Sequence, residues 1–104
     1  MKKIKIIVVE PNKQPYVKEI NSESDLYSIV YFPYASISLA DNIKVIYSTN
    51  ADTENRQFFK YNRTIKGTDF YSNFVILKKD NEEMVSLTEK EIKEYISKLL
   101  KGSD

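Results

Sequence analysis

The chain has 104 residues, of which 41% are hydrophobic and 30% charged, with a formal net charge of +1. That length is typical of one domain with a modest core, so we predict a single domain over residues 1–104. The near-neutral charge argues against a strongly basic nucleic-acid clamp, and the lack of cysteine and histidine excludes disulfides, thiol or imidazole catalysis and zinc sites with nitrogen or sulfur ligands.

The chain opens with an apolar, β-branched stretch from Ile4 to Val9, which predicts a strand that ends before Glu10-Pro11. A second strand is predicted from Tyr16 to Ile20, and a turn that starts at Pro11 should join the two as a hairpin. The first stretch is interrupted by Lys5 and is too short for a signal peptide. No apolar stretch of the sequence approaches the roughly 18 residues that a membrane-spanning helix requires. We therefore expect a cytoplasmic protein that does not contact a membrane.

A short helix is predicted next, because Asn21 or Ser22 can cap it and Pro33 would end it. Its apolar stripe at helical spacing consists of Leu26, Ile29 and Val30, with Tyr27 as a further candidate. Alternating residues on both sides of Asp41-Asn42 then predict a second hairpin, from Ala35 to Leu39 and from Ile43 to Tyr47.

The middle of the chain has weaker patterns. Residues 50–57 are polar and without period, which is typical of a loop. The stretch from Phe58 to Tyr61 is either a short strand or a docked aromatic segment, and Asn62 to Gly67 is predicted to be irregular.

The end of the chain is more regular. The continuous apolar run from Phe74 to Leu77 predicts a buried central strand, followed by a turn from Lys78 to Asn81 and a short return strand from Met84 to Leu87. Thr88 and Glu91 predict a capping box at the start of a helix that ends at Gly102. The apolar face of this helix is predicted to contain Ile92, Tyr95, Ile96, Leu99 and Leu100.

Together these elements predict an α+β fold in the order ββα-ββ-loop-ββα. We expect a mostly antiparallel sheet of about four to six strands, with two helices on one face of the sheet.

Three stretches carry a family resemblance in their order and spacing. They are the segment from Val8 to Ile20 with its Glu10-Pro11 and Pro15-Tyr16 steps, the pair Asn62-Arg63, and the closing Phe74-Val75-Ile76, Met84-Val85-Ser86-Leu87-Thr88 and Glu91-Ile92. They resemble the DUF3846 family, a bacterial and phage domain of unknown function. The resemblance covers nearly the whole chain and implies a gene carried by phages, plasmids and conjugative elements. It implies no activity.

Arginine, aromatic and amide side chains concentrate in one segment of the middle region. The candidate binding residues there are Arg56, Phe59, Tyr61, Asn62 and Arg63, to which we add Tyr34 from the aromatic cluster after the first helix. Such side chains suit phosphate, carboxylate or base recognition, and equally a protein–protein hot spot. The alternative is an ordinary surface loop with phenylalanines in the core.

The interpretation that we favour is a small, non-catalytic binding protein. Its most concrete form is an inhibitor of a host defence effector, similar to an anti-CRISPR protein, and it rests on the setting that the resemblance implies. One alternative is a small oligomer that acts as a sponge and holds a nucleotide signal between its subunits. The other is an accessory protein that binds single-stranded nucleic acid. A homodimer is a separate possibility, because small sheets with exposed edges often dimerise and the apolar stripe of the closing helix could be shared with a second copy. No residue pattern predicts an enzyme, a metal site or a cofactor.

Overall fold

The computed structural model describes residues 3–30, 33–49, 61–65 and 67–100. Their elements in chain order are β1 (Ile4–Val9), β2 (Tyr16–Ile20), a 3-10 helix (Glu23–Ser28), β3 (Tyr34–Ala40), β4 (Ile43–Ser48), β5 (Tyr61–Ile65), β6 (Thr68–Tyr71), β7 (Phe74–Asp80), β8 (Glu83–Val85) and α1 (Glu89–Leu100).

Within the described residues, the strands form one six-stranded sheet and one two-stranded sheet, and every strand pair is antiparallel. The larger sheet has the order β2-β1-β7-β4-β3, with β8 paired to the end of β7. The predicted α+β class with a mostly antiparallel sheet and two helices is confirmed, although the first helix is a short 3-10 helix. The predicted central strand is also confirmed, because all four residues from Phe74 to Leu77 are fully buried.

Both faces of the larger sheet are apolar. On β1, Ile4, Ile6 and Val8 point to one face and pack with Leu26 of the 3-10 helix, so we call this the 3-10 face. Residues of the opposite parity, such as Ile7 of β1 and Ile76 of β7, pack with α1 on what we call the α1 face.

The prediction that both helices share one face of the sheet is therefore wrong. The reason lies in the continuous apolar run of β7, since a strand that is apolar on both sides must be covered on both sides. Val75 and Leu77 point to the 3-10 face, whereas Phe74 and Ile76 point to the α1 face. One helix on each face removes both sets of side chains from water.

Local side-chain hydrogen bonds hold both ends of the 3-10 helix. The Asp25 carboxylate accepts hydrogen bonds from the backbone N–H groups of Asn21 and Ser22, at 2.8 and 3.3 Å. At the other end, the Ser28 hydroxyl donates to the carbonyl oxygen of Asp25 at 2.9 Å. The predicted cap at Asn21 or Ser22 is thus confirmed, since Ser22 is the N-cap residue.

The segment from Asn62 to Gly67 was predicted to be irregular, and this prediction is wrong. β5 and β6 form a hairpin whose turn ends at Gly67, where a φ of +81° requires the left-handed region that glycine adopts readily. Ile65 and Phe70 pack the hairpin onto the α1 face. The loop predicted for residues 50–57 and the aromatic residues 58–60 lie outside the described residues.

The turn after the central strand begins later than predicted. β7 continues through Asp80, and the turn consists of Asn81 and Glu82, which both have positive φ values. β8 then pairs with β7, which confirms the predicted return strand as a shorter element that ends at Val85.

The capping box at the start of α1 is confirmed. The backbone N–H of Thr88 donates to the Glu91 carboxylate at 2.8 Å, and the N–H of Glu91 donates to the Thr88 hydroxyl at 3.2 Å. Burial alone would raise the pKa of Glu91, but Thr88 and the Lys78 ammonium at 3.1 Å hold it below its ordinary value. Leu99 is buried on the α1 face, whereas the predicted end at Gly102 lies outside the described residues.

Candidate functional site

Four of the six predicted binding residues lie in the part of the chain that the structure describes. Arg56 and Phe59 lie outside the described residues, and Tyr61 and Arg63 are placed on β5 by their backbone. Tyr34 begins β3 and packs on the 3-10 face. The β5–β6 hairpin packs on the α1 face through Ile65 and Phe70, so the described part of β5 and Tyr34 lie on opposite faces of the larger sheet.

Asn62 holds two backbone segments together. Its Nδ2 donates to the carbonyl oxygens of Val9 at 3.0 Å and Ser72 at 2.8 Å. These bonds attach β5 to the end of β1 and to the segment between β6 and β7. This side chain therefore stabilises the fold, which is the ordinary role for a partly buried amide.

A shallow cleft of about 190 Å³ opens on the 3-10 face, between the 3-10 helix and strands β3, β4 and β7. Its floor is apolar, formed by Leu26, Ile46 and Leu77. Tyr34 forms one wall, and the ring of Tyr27 lies 5.7 Å from the Tyr34 ring, centroid to centroid, at an interplanar angle of 30°. Burial raises the pKa of the Tyr34 phenol, and nearby Tyr27 and Glu23 add to the rise, so this wall is uncharged at neutral pH.

Opposite charges lie at the rim of the cleft. Lys79 Nζ of β7 is 3.9 Å from Glu23 Oε2 of the 3-10 helix, a long separation for an ion pair. The side chain of Glu23 is 64% exposed and that of Lys79 is 26% exposed, so water screens the interaction. An ion pair at this distance contributes little to stability, so Glu23 and Lys79 can each form an ion pair with a binding partner instead.

Tyr27 was predicted as a further member of the apolar stripe of the first helix, and of the aromatic cluster around it only Tyr34 was chosen as a binding residue. Tyr27 is 60% exposed, so its predicted place in the stripe is wrong. The sequence did contain a signal for the exposure of Tyr27. A short helix with one apolar stripe exposes the residues next to that stripe, and Tyr27 directly follows the buried Leu26 and precedes the half-buried Ile29. No local signal could have joined Glu23 to Lys79, because the sheet topology brings them together.

Residues 4–100 match the family Domain of unknown function (DUF3846). The chain belongs to the DUF3846 family. No curated protein and no solved structure matches it.

The stretches that suggested the DUF3846 family stabilise the fold of this chain. Asn62 attaches the hairpin, and Thr88 and Glu91 cap α1. The Glu-Pro and Pro-Tyr steps close the turn between β1 and β2, where the Tyr16 hydroxyl donates to Glu10 Oε2 at 2.5 Å. In this chain, these residues of the three stretches therefore have structural roles.

The turn between β1 and β2 also has an electrostatic consequence. The hydrogen bond from Tyr16, helped by the Lys13 ammonium at 3.3 Å, holds the pKa of Glu10 below its ordinary value. The same bond raises the pKa of Tyr16 to about 12. Neither group suits acid–base chemistry at neutral pH, because the carboxylate stays ionised and the phenol stays protonated.

This pair predicts a pH-dependent stability difference between the wild type and Tyr16→Phe. The bond to a partly exposed carboxylate should contribute about 0.5–1 kcal/mol to the free energy of unfolding. Because the folded pKa of Tyr16 is raised, that contribution is complete below pH 10 and is lost as the pH rises toward about 12. Because the folded pKa of Glu10 is lowered, the contribution of this bond to stability is also lost in acid, as the pH falls below the ordinary carboxyl value of 4.5.

The measurement is urea unfolding of both proteins across this pH range. Glu10→Gln is the matched control, and it should remove most of the same pH dependence because it removes the ionised acceptor. A wild-type advantage that stays constant through the alkaline range would contradict the assignment.

Among the described residues, no helix is both long enough and apolar enough to cross a membrane. The same part of the chain contains no group of three or more acidic side chains that could hold a metal ion together.

Proposed function

We propose that this protein is a stoichiometric inhibitor, encoded by a phage or another mobile genetic element, that binds a defence protein in the host cytoplasm. The observation that carries the proposal is the cleft on the 3-10 face with the exposed ring of Tyr27 beside it. The mobile-element setting, and with it the defence target, rests on what resemblance to the DUF3846 family implies.

The size of the cleft favours a protein partner over a nucleotide. Pockets that enclose small molecules usually have volumes of about 300–1,000 Å³. A cleft of about 190 Å³ is large enough for one side chain of a partner. This comparison supports an interface anchor and weighs against the nucleotide sponge.

The composition around the cleft also suits an interface. Tyrosine is enriched at binding hot spots because it combines a large apolar ring with a polar hydroxyl. Here one tyrosine is 60% exposed and leans on a second that is half-buried, so the exposed ring is held in place before binding. We expect the partner to insert an apolar side chain between Tyr34 and Leu26 and to place charged groups beside Glu23 and Lys79.

The function is tested with host strains that each carry one defined defence system. Expression of this protein should raise plasmid transformation in one such strain and have no effect after that system is deleted. The purified effector of that system should then form a complex of defined stoichiometry, measured by native mass spectrometry. If transformation is unchanged in strains that cover the defence systems of the natural host, the proposal is wrong.

Tyr27→Ala should then weaken the complex by at least about thirtyfold, the equivalent of a hot spot of about 2 kcal/mol. The protein should remain folded, because Tyr27 is mostly outside the core. Lys90→Ala, at an exposed position of α1 on the opposite face, is the control and should leave the dissociation constant unchanged. Calorimetry measures both variants, and equal affinities for the two would contradict the role of the cleft.

A further inference from the structure

Strand β2 is an exposed edge of the larger sheet. Among the described strands, it pairs with β1 on one side and is the last strand of the sheet on the other. Four of its five residues are exposed, and they include Tyr16 at 41% and Val17 at 39%. An edge strand with exposed apolar side chains is a template for pairing with another strand.

The opposite edge, β3, is less suited to pairing. Its register with β4 shifts between Ser38 and Ala40, and such an irregularity bends a strand and disrupts the regular spacing of its backbone groups. β2 runs in unbroken register with β1 from Tyr16 to Ile20. If the sheet extends, β2 is the edge that can accept a further strand.

We propose that β2 pairs with β2 of a second copy in an antiparallel, two-fold symmetric dimer centred on Val17. A two-fold axis perpendicular to the sheet keeps each face continuous, so residues that meet across the axis must point to the same face. In this register Val17 lies opposite Val17 of the second copy, and Tyr16 lies opposite Lys18 of the second copy.

The side chains on β2 are complementary to themselves in that register. Val17 meets an identical apolar side chain on the α1 face, and aliphatic cross-strand pairs stabilise sheets. On the 3-10 face, Lys18 of one copy approaches the ring of Tyr16 and the ionised Glu10 bound to it in the other copy. Shifting the centre to Lys18 would place two lysines opposite each other, which is destabilising.

This choice of centre also gives a role to the edge lysine. Lysine on an edge strand commonly prevents pairing with other chains. Here Lys18 faces Tyr16 of the second copy when the dimer is centred on Val17, but it faces Lys18 of the second copy when the dimer is centred one residue later. Repulsion between the two lysines therefore favours the register centred on Val17. Two five-residue strands bury less area than a standard interface, so the expected dissociation constant is roughly micromolar.

The test uses opposite charges at the self-facing position, in the full chain. Val17→Lys and Val17→Glu each place like charges across the axis, so each variant alone should dimerise at least about tenfold more weakly than the wild type. An equimolar mixture of the two should recover association as a heterodimer, because the axis then pairs Lys with Glu. Analytical ultracentrifugation measures all three samples together with the wild type.

Thermal unfolding of each variant should show a folded monomer, because the side chain at position 17 is exposed. The proposal is overturned if the wild type stays monomeric at high micromolar concentration, or if either variant dimerises as well as the wild type. It is also overturned if the mixture associates no more than its components do alone. None of these outcomes depends on whether a defence protein binds at the cleft, because strand β1 separates this edge from β7, the nearest strand that lines the cleft.

Discussion

Phe74→Ala should lower the free energy of unfolding by about 3–5 kcal/mol, the range for removing a buried aromatic side chain. Phe74 begins the central strand, has no exposed surface and packs against Phe70 with ring centroids 4.8 Å apart. Truncation leaves a cavity between the larger sheet and the β5–β6 hairpin. Since a domain of this size is stable by only about 5–15 kcal/mol, the loss is a large fraction of the total.

Urea unfolding measures this loss, and Phe74→Leu is the matched control. Leucine keeps most of the apolar volume, so it should cost only about 1 kcal/mol. A loss below about 1 kcal/mol for the alanine variant would mean that the hairpin does not cover this part of the sheet.

The second large effect is expected at Asn62, where Asn62→Ala should cost about 2 kcal/mol. The substitution removes the donor that satisfies the carbonyl oxygens of Val9 and Ser72, and those two residues are buried. Leaving buried acceptors without a donor costs more than the net contribution of an ordinary hydrogen bond. Because the bonds attach the hairpin to the sheet, the hairpin should open locally before the sheet unfolds.

Amide hydrogen exchange tests this order of events. In Asn62→Ala, the amides of β5 and β6 should exchange faster, whereas those of β7 should keep a protection close to the global stability. Asn21→Ala, at an exposed asparagine, should change stability by less than about 0.5 kcal/mol. Equal loss of protection in all strands would instead show that Asn62 acts only through global stability.

The fold could be predicted where the sequence pattern is local. The alternation of apolar and polar residues on both sides of Asp41-Asn42 indicated two strands. The asparagine indicated the tight turn between them, because asparagine readily adopts a positive φ, and Asn42 has a φ of +70°. The Thr88 and Glu91 spacing indicated the start of α1 for an equally local reason.

The errors arose where tertiary contacts decide the structure. The β5 sequence is mostly polar, and it forms a strand because β6 pairs with it and because Phe70 and Ile65 attach the hairpin to the α1 face. The placement of both helices on one face failed because a helix pattern reveals its own apolar stripe but not the face of the sheet that receives it.

The candidate site could be predicted only in part. Tyr34 was chosen for its place in an aromatic cluster, and the structure places it at the wall of the cleft. Asn62 was chosen for its side-chain amide, which in the structure donates hydrogen bonds to the backbone carbonyl oxygens of Val9 and Ser72. The cleft itself depends on how the 3-10 helix lies over β4 and β7, and that geometry has no signature in consecutive residues.

The most direct test of the central claim is a titration of the purified defence effector with this protein, with residual effector activity as the readout. Occupation of a surface predicts that activity falls linearly and reaches its end point at one chain per effector binding site. The loss of effector activity should be complete once the proteins have bound and should not increase with further incubation. If a small fraction of an equivalent inactivates all of the effector progressively with time, the protein acts by turnover and the account is contradicted.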